Sequence, residues 1–207
     1  MNIDYARLQM VNQQVRGWNV YDEDVLEMLR SLPREDFVPR GYESLAFADM
    51  AIPLGHGESM MTPTIEGRLL QALGLGGSER VLEIGTGSGF MTACLARLAA
   101  HVTSVDIHAD FVDGAAAKLD SAGIDNVELL HMDATCELPE GQYDAIAVTG
   151  SIQTFDPRFV EALADDGRLF VVVGNAPAME AKLIERRSEH DWQTVSLFET
   201  DLKPLVH

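Results

Sequence analysis

The densest chemistry in the sequence lies between Glu83 and Phe90, which reads Glu-Ile-Gly-Thr-Gly-Ser-Gly-Phe. It follows a β-rich run, Arg80–Ile84, and opens a stretch of helical pattern over residues 90–100. Glycines in such a turn let the backbone approach a ligand, and the helix N-terminus offers free N–H groups and a positive dipole end. A dinucleotide fingerprint would read G-x-G-x-x-G and seat a pyrophosphate there. This turn reads G-x-G-x-G and has an acid two residues ahead of it. A carboxylate at Glu83 repels a pyrophosphate and suits an ammonium or sulfonium group. S-adenosylmethionine carries both and no phosphate. Glu83, Gly85, Thr86, Gly87 and Gly89 are therefore the candidate cofactor loop. The plainer reading is a Gly-rich turn that packs a helix on a strand.

Two carboxylates extend the pattern. Asp106 follows the predicted strand 102–105 and lies 17 residues after Gly89, near the ~20 usual for nucleotide folds. At a second strand tip it accepts two hydrogen bonds from ribose hydroxyls. Its plainer reading is a helix N-terminal acid that complements the dipole. Asp133 stands at the third strand tip (HMDAT), placed to accept from an adenine amino group. A glycine turn and two acids at successive strand tips share one edge of a parallel sheet, where ligands of such sheets bind.

Other reactive residues carry less. His56, His101, His108, His131, His190 and His207 have no H-x-x-x-H or C-x-x-C context, so no metal site is expected. Ser88 lies in T-G-S-G-F, which is not a nucleophile elbow. Cys94 falls mid-helix and is expected in the core; Cys136 falls in a loop and is assigned nothing.

These residues need elements to position them. Leu8, Val11 and Val15 share a face of a first helix that Gly17 ends. A second helix carries Val25, Leu26, Met28 and Leu29; it starts at Asp22 and Asp24 and stops before Pro33. Residues 33–57 are punctuated by Pro and Gly and read as irregular, with a short strand over 49–54. Thr62 is placed as an N-cap with Pro63 at the first helical position of a helix over 64–73. Strands are expected at Arg80–Ile84, 102–105, Val127–His131, 143–149 and 169–173. Helices are expected at 90–100, 109–122 and 157–164. Alternating strands and helices indicate βαβ units and an α/β fold with a mostly parallel sheet. Segments 181–187 and 193–198 read as a C-terminal antiparallel strand pair, with a helix over 179–187 as the alternative.

Bulk properties set the class. At 207 residues the chain reads as a single domain: an N-terminal helical and loop cap (1–63) and a cofactor-binding core (64–207). Hydrophobic residues at 46% and charged residues at 23% exclude wholesale disorder and fibrous classes. Two cysteines are too few for a disulfide framework. The start shows no basic segment leading into an apolar run, and no apolar stretch reaches ~18 residues. A cytoplasmic location and no membrane are expected. Lys and Arg total 15 against 33 Asp and Glu, a net charge of −18 with lysine only at 118, 182 and 203. Such a surface repels phosphate backbones, so nucleic acid is not an expected partner. Carboxylates replace lysines along the whole length, as in a salt-adapted protein. The sequence carries no signal for an oligomeric state.

Residues 80–90 (RVLEIGTGSGF), together with 33–39 (PREDFVP), 52–57 (IPLGHG), 126–127, 143–149 and 167–174 (GRLFVVVG), resemble the protein-L-isoaspartate O-methyltransferase family. The resemblance runs from Gln14 to Leu205. It implies the Rossmann-like sheet of class I methyltransferases with N-terminal helices. It also implies S-adenosylmethionine as cofactor, and as acceptor a carboxylate of isoaspartyl residues in protein or peptide. Gly85, Gly87 and Gly89 carry over as the cofactor loop, Asp106 in place of a ribose-binding glutamate, and Asp133 as the adenine-side aspartate. The acceptor side departs. Where the family reads Gln-Thr-Ile-Ser-x-Pro, this chain reads Glu58-Ser59-Met60-Met61-Thr62-Pro63. Met61 occupies the position of the serine at the reaction centre, Ser59 preserves the first hydroxyl, and Glu58 replaces a glutamine. Ser59, Met61 and Thr62 are the candidate catalytic positions. Thr149-Gly150-Ser151 stands where the family has Thr-Ala-Ala. These departures leave the acceptor open between isoaspartyl protein and another small acceptor. An alternative is a cofactor-binding relative with little transferase activity, acting as a sensor or partner-binding module. A nicotinamide oxidoreductase is disfavoured by Glu83 and the G-x-G-x-G spacing.

Overall fold

The computed structural model describes residues 2–188 and 191–206. His190, His207 and part of the 188–191 connection lie outside them. A seven-stranded sheet runs in the order β5-β4-β3-β6-β7-β8-β9. Its strands are β3 (Arg80–Ile84), β4 (His101–Asp106), β5 (Val127–His131), β6 (Tyr143–Ile152), β7 (Leu163–Asn175), β8 (Ala178–Ser188) and β9 (Asp191–Thr200). The pairs among β3 to β7 are parallel; β8 and β9 add antiparallel at the edge. The α/β reading and the C-terminal strand pair therefore hold, and β8 settles the 179–187 alternative as strand. The chain moves outward from β3 through β4 to β5, then returns to β6 on the other side of β3. That reversal is the switch point at which open α/β sheets bind ligands.

Strands covered on both faces read as continuous apolar runs. From Val81 to Ile84 every residue of β3 is buried. Side chains alternate across the sheet: Val81, Val102, Ala145, Ala147 and Phe170 enter a core with the N-terminal helices. Leu82, Ile84, Ile146, Val148 and Leu169 enter a second core with Phe159 and Val160. Around the sheet lie α1 (Ile3–Gln9), α2 (Glu23–Ser31), α3 (Pro63–Leu73), α4 (Phe90–Leu98), α5 (Ala109–Ser121) and α6 (Arg158–Glu161). Asp22 caps α2 by accepting from the Asp24 and Val25 N–H groups. Thr62 caps α3, Pro63 opens it, and Gly74 closes it in the left-handed conformation. Among the described residues no helix is long and apolar enough to cross a membrane.

Three expectations are corrected. The first helix does not run regularly to Gly17. After α1 the chain widens into a π-helical turn over Met10–Val15, then a 3-10 turn over Arg16–Trp18. A π turn brings residues five apart onto one face. Met10 and Val15 are therefore buried while Leu8 is 42% exposed. The segment ends at Asn19, which adopts φ 63°. The 157–164 helix shrinks to the four residues of α6 because Leu163 already pairs with Tyr143 in the sheet. The irregular stretch contains a hairpin of β1 (Ile52–Gly55) and β2 (Glu58–Met60), paired antiparallel. β1 overlaps the short strand expected over 49–54, whereas β2, only three residues long and just beyond that stretch, was not expected.

Candidate functional site

An open crevice lies at the carboxyl ends of β3, β4, β5 and β6, the edge at which open α/β sheets bind ligands. Gly85, Gly87, Asp106, Asp133 and Thr149 line it from the sheet, Glu58 and Ser59 from the hairpin, and residues 202–206 from the C-terminal tail. A larger groove between α2 and α5 holds none of the candidate catalytic or cofactor residues.

The floor is built from backbone. Gly85 adopts φ 101°, and a Cβ there would lie 2.3 Å from Thr149 Oγ1. Only glycine permits that approach. The Thr149 hydroxyl lies 2.9 Å from the Ile84 carbonyl and 2.7 Å from that of Gly85, donating towards both and pinning the tip of β6 to the turn. Asp106, 7% exposed, accepts from the Gly87 N–H at 2.8 Å through Oδ2 and from the His108 N–H at 2.9 Å through Oδ1. Each oxygen keeps a lone pair for a ligand hydroxyl. Both readings of Asp106 thus meet: it braces the entry to α5 and it lines the crevice. At Asp133, Oδ1 accepts from the Thr135 N–H at 2.9 Å and its hydroxyl at 2.6 Å, and the Cys136 thiol lies 3.3 Å from Oδ2.

The remaining loop residues are placed elsewhere. Glu83 does not line the crevice. Alternation along β3 turns its side chain to α4 and β4, where Oε2 accepts from Thr92 Oγ1 at 2.5 Å and Ser104 Oγ at 2.6 Å. Its Oε1 is buried without a hydrogen-bond partner among the described residues. Burial pushes its pKa up to about 8, against the pull of those two hydroxyls. It is a buried neutral acid near pH 7, and the electrostatic argument drawn from its charge does not apply. Gly89 serves packing: a Cβ would meet Ala115 Cβ at 2.9 Å, so glycine lets α4 and α5 close together. Thr86 is buried and bonds Ser104 Oγ at 2.6 Å.

The acceptor-side positions also separate. A small inner cavity continues from the crevice, lined by Ser59, Met61, Glu66, Thr86, Ser88 and Met91 among others. Ser59 faces both spaces and Glu58 the outer one. The Met61 side chain is buried at 6% exposure. Its carbonyl accepts at 2.9 Å from Arg34, which is fully buried and also grips both Glu66 oxygens and the Ala46 carbonyl. Burial raises the Glu66 pKa to about 7, with Arg34 drawing it back. Thr62 lines neither space. Its hydroxyl caps α3 at the Ile65 N–H and bonds Thr64 Oγ1 at 2.9 Å.

Two sets of residues had escaped the sequence reading. Residues 202–206 close one side of the crevice. Ser151 N–H donates to the Lys203 carbonyl at 2.7 Å, Leu205 N–H to the Ser151 carbonyl at 2.8 Å, and Ser151 Oγ to the Leu202 carbonyl at 2.8 Å. A Cβ on Gly150 would sit 2.7 Å from Leu205 Cδ2. The Gly150-Ser151 departure is thus explained by docking of the tail. The second set is His56 and His108, whose rings stack at the crevice rim with centroids 4.1 Å apart. The Gly-His-Gly turn at 55–57 was its only signal.

The model of the family described as protein-L-isoaspartate(D-aspartate) O-methyltransferase matches residues 7–207. The chain belongs to that family. It is 36% identical over 207 residues to protein-L-isoaspartate O-methyltransferase 2 of Pelobacter propionicus, covering 99% of this chain and 92% of the relative. It is 37% identical over 202 residues to the Methanoculleus marisnigri protein-L-isoaspartate O-methyltransferase, covering 97% and 91%. Among solved structures, a Plasmodium falciparum protein-L-isoaspartate O-methyltransferase in complex with S-adenosyl-L-homocysteine superposes with a TM-score of 0.82 at 20% identity, covering 97% and 98% of the two chains. As a member of the protein-L-isoaspartate O-methyltransferase family, the chain is an S-adenosylmethionine-dependent O-methyltransferase, and the nicotinamide reading falls. The crevice fits that cofactor: Asp106 keeps acceptor capacity beside a glycine floor.

Proposed function

We propose that this chain methylates a carboxylate of isoaspartyl residues in protein or peptide, with S-adenosylmethionine held in the crevice. The observation that carries the reading is Asp106, half-satisfied by backbone and facing the crevice beside Gly87, in a chain of this family. In this reading Asp106 holds the ribose hydroxyls, Asp133 the adenine side, and Gly85 and Gly87 admit the rest of the ligand. Glu83, Thr86 and Gly89 support that loop from behind. When bound, S-adenosylmethionine supplies a methyl group on a sulfonium. An ionised acceptor carboxylate needs no general base, so the protein's work is alignment, for which orientation supplies up to ~7–11 kcal/mol, and hydrogen bonding of the acceptor.

Ser59 is the hydroxyl placed for that hydrogen bond. Thr62 is committed to its helix cap, and Met61 has no donor and serves as an apolar wall. Glu58 sets acceptor selectivity by repelling a second negative charge. Residues 1–63 then bring the acceptor and residues 64–207 the cofactor. The cytoplasmic placement stands with this reading, as repair of intracellular protein. The test is methyl transfer from labelled cofactor to an isoaspartyl peptide and its aspartyl control. Selective transfer supports the proposal. Ser59→Ala is expected to lower kcat/KM about 10- to 100-fold, the worth of one hydrogen bond to a charged group, with cofactor affinity held. Glu58→Gln is expected to lower KM. Cofactor binding without turnover over a broad acceptor panel would favour the sensor reading, to which Met61 lends its only support.

A further inference from the structure

At the rim of the same crevice, which His108 and Phe111 line, three ligand-type side chains converge with no part in the proposed methyl transfer. His56 comes from the turn of the β1–β2 hairpin, and His108 and Asp110 come from the start of α5. One ligand atom of each lies within 4.8 Å of the others. His56 Nε2 stands 2.9 and 3.1 Å from the two Asp110 oxygens. His108 Nε2 is buried without a hydrogen-bond partner among the described residues, an unusual state for such a nitrogen. His56 itself holds φ 52° between Gly55 at 117° and Gly57 at 86°. A non-glycine residue is uncommon there, and this backbone is what delivers the imidazole to His108.

We propose that His56, His108 and Asp110 form a transition-metal site that clasps the hairpin to the start of α5. Two imidazole nitrogens and one carboxylate oxygen make a three-ligand set with a position left for water, a pattern suited to Zn²⁺, Co²⁺ or Ni²⁺ rather than Mg²⁺. Donors 2.9–3.1 Å apart subtend an angle near 90° at an ion held by bonds of about 2.0–2.2 Å. The His56 proton that faces Asp110 moves to Nδ1, a tautomer shift that frees the Nε2 lone pair. The stacked rings, 10° from parallel, splay so that both lone pairs converge. Phe111, edge-on to both rings at 5.3 and 5.1 Å, walls the inner side. A net charge of −18 raises the local cation concentration. The ligands come from segments more than fifty residues apart, so no local spacing in the sequence signals the set.

The test uses the untagged full chain after chelator treatment, titrated with Co²⁺ by visible absorption and with Zn²⁺ by calorimetry, with Mg²⁺ as control. The expected result is one Co²⁺ per chain with ligand-field bands, displaced by Zn²⁺ and indifferent to Mg²⁺. His56→Asn keeps a residue that tolerates positive φ and removes the imidazole. It and Asp110→Asn are each expected to weaken Zn²⁺ binding about 10- to 100-fold, while His101→Asn does not. Affinity and stoichiometry unchanged in both His56→Asn and Asp110→Asn would place the cation elsewhere on the acidic surface and overturn the proposal. So would absence of Zn²⁺ binding at about millimolar concentration, far weaker than built sites.

Discussion

Asp106 braces two backbone N–H groups and, in the proposed reading, also holds the ligand; its removal is expected to show both. Asp106→Ala loses the acceptor for ligand hydroxyls and weakens S-adenosylmethionine binding by about 1.5–3 kcal/mol. It also releases the Gly87 and His108 N–H groups, so the ligand-free protein melts lower as well. Calorimetry with unchanged cofactor affinity would remove Asp106 from the site. Glu83 makes a different prediction. Its carboxyl holds a proton up to about pH 8 in the folded chain and releases it near the ordinary carboxylate value when unfolded. Between those values the native state binds more protons, so stability falls as pH rises. The contribution is full below the unfolded value and is lost through about pH 8. Glu83→Gln removes this slope. Urea melts of both proteins from about pH 5 to about pH 9 are expected to show the variant gaining on the parent up to about pH 8 and the difference levelling off above it; a constant difference would exclude the buried neutral acid. The place of Asp106 in the crevice was legible because a strand tip stands at the ligand edge of such a sheet. Glu83's was not, because strand alternation, not position along the strand, decides which way a side chain points.

Among elements, the acceptor side hangs on one buried ion pair. Arg34 ties together the Glu66 carboxylate on α3, the Ala46 and Met61 carbonyls, and the face of Phe90 on α4 at 4.7 Å. Breaking a buried pair from one side costs about 3–5 kcal/mol; without Arg34 the buried Glu66 carboxyl takes up a proton and the Ala46 and Met61 carbonyls lose their donor. Arg34→Met is therefore expected to lose about that much in denaturant melts. Replacing both partners by apolar residues is expected to cost less, which separates the unpaired Glu66 carboxyl from lost packing. The elements β3, β5, α3 and α5 were legible within a residue or so; in α3 the Thr62 cap, Pro63 and Gly74 mark both ends, and β3 is a short β-rich run closed by glycines. The π turn was not: a spacing of five mimics no standard period, and its cause is tertiary. Val15 settles against Gly67, where a Cβ would come within 2.6 Å. The 157–164 helix failed for a similar reason, since Leu163 is recruited by the sheet.

At the scale of the molecule, charge is the dominant field. A surface at −18 repels itself over a Debye length of ~10 Å at 0.1 M salt, which shortens to ~3 Å at 1 M. The melting temperature is expected to rise between low salt and about 1 M KCl. A flat or falling response would count against salt adaptation. This property needed no structure, since it is a sum over residues. The crevice needed one, because its walls come from the hairpin, four strand tips and the tail.

The tail wall has a consequence for the order of events during synthesis. Ser151, at the end of β6, finds its partner Leu202 only 51 residues later. On the ribosome the glycine floor and both acids therefore emerge well before the side of the crevice that residues 202–206 supply. A nascent chain halted between them has a cofactor site open along one flank, held by no contact to Ser151 or Gly150. The flank is thus completed last, and a chain truncated before Leu202 is expected to bind S-adenosylmethionine more weakly than the full chain, as calorimetry would show.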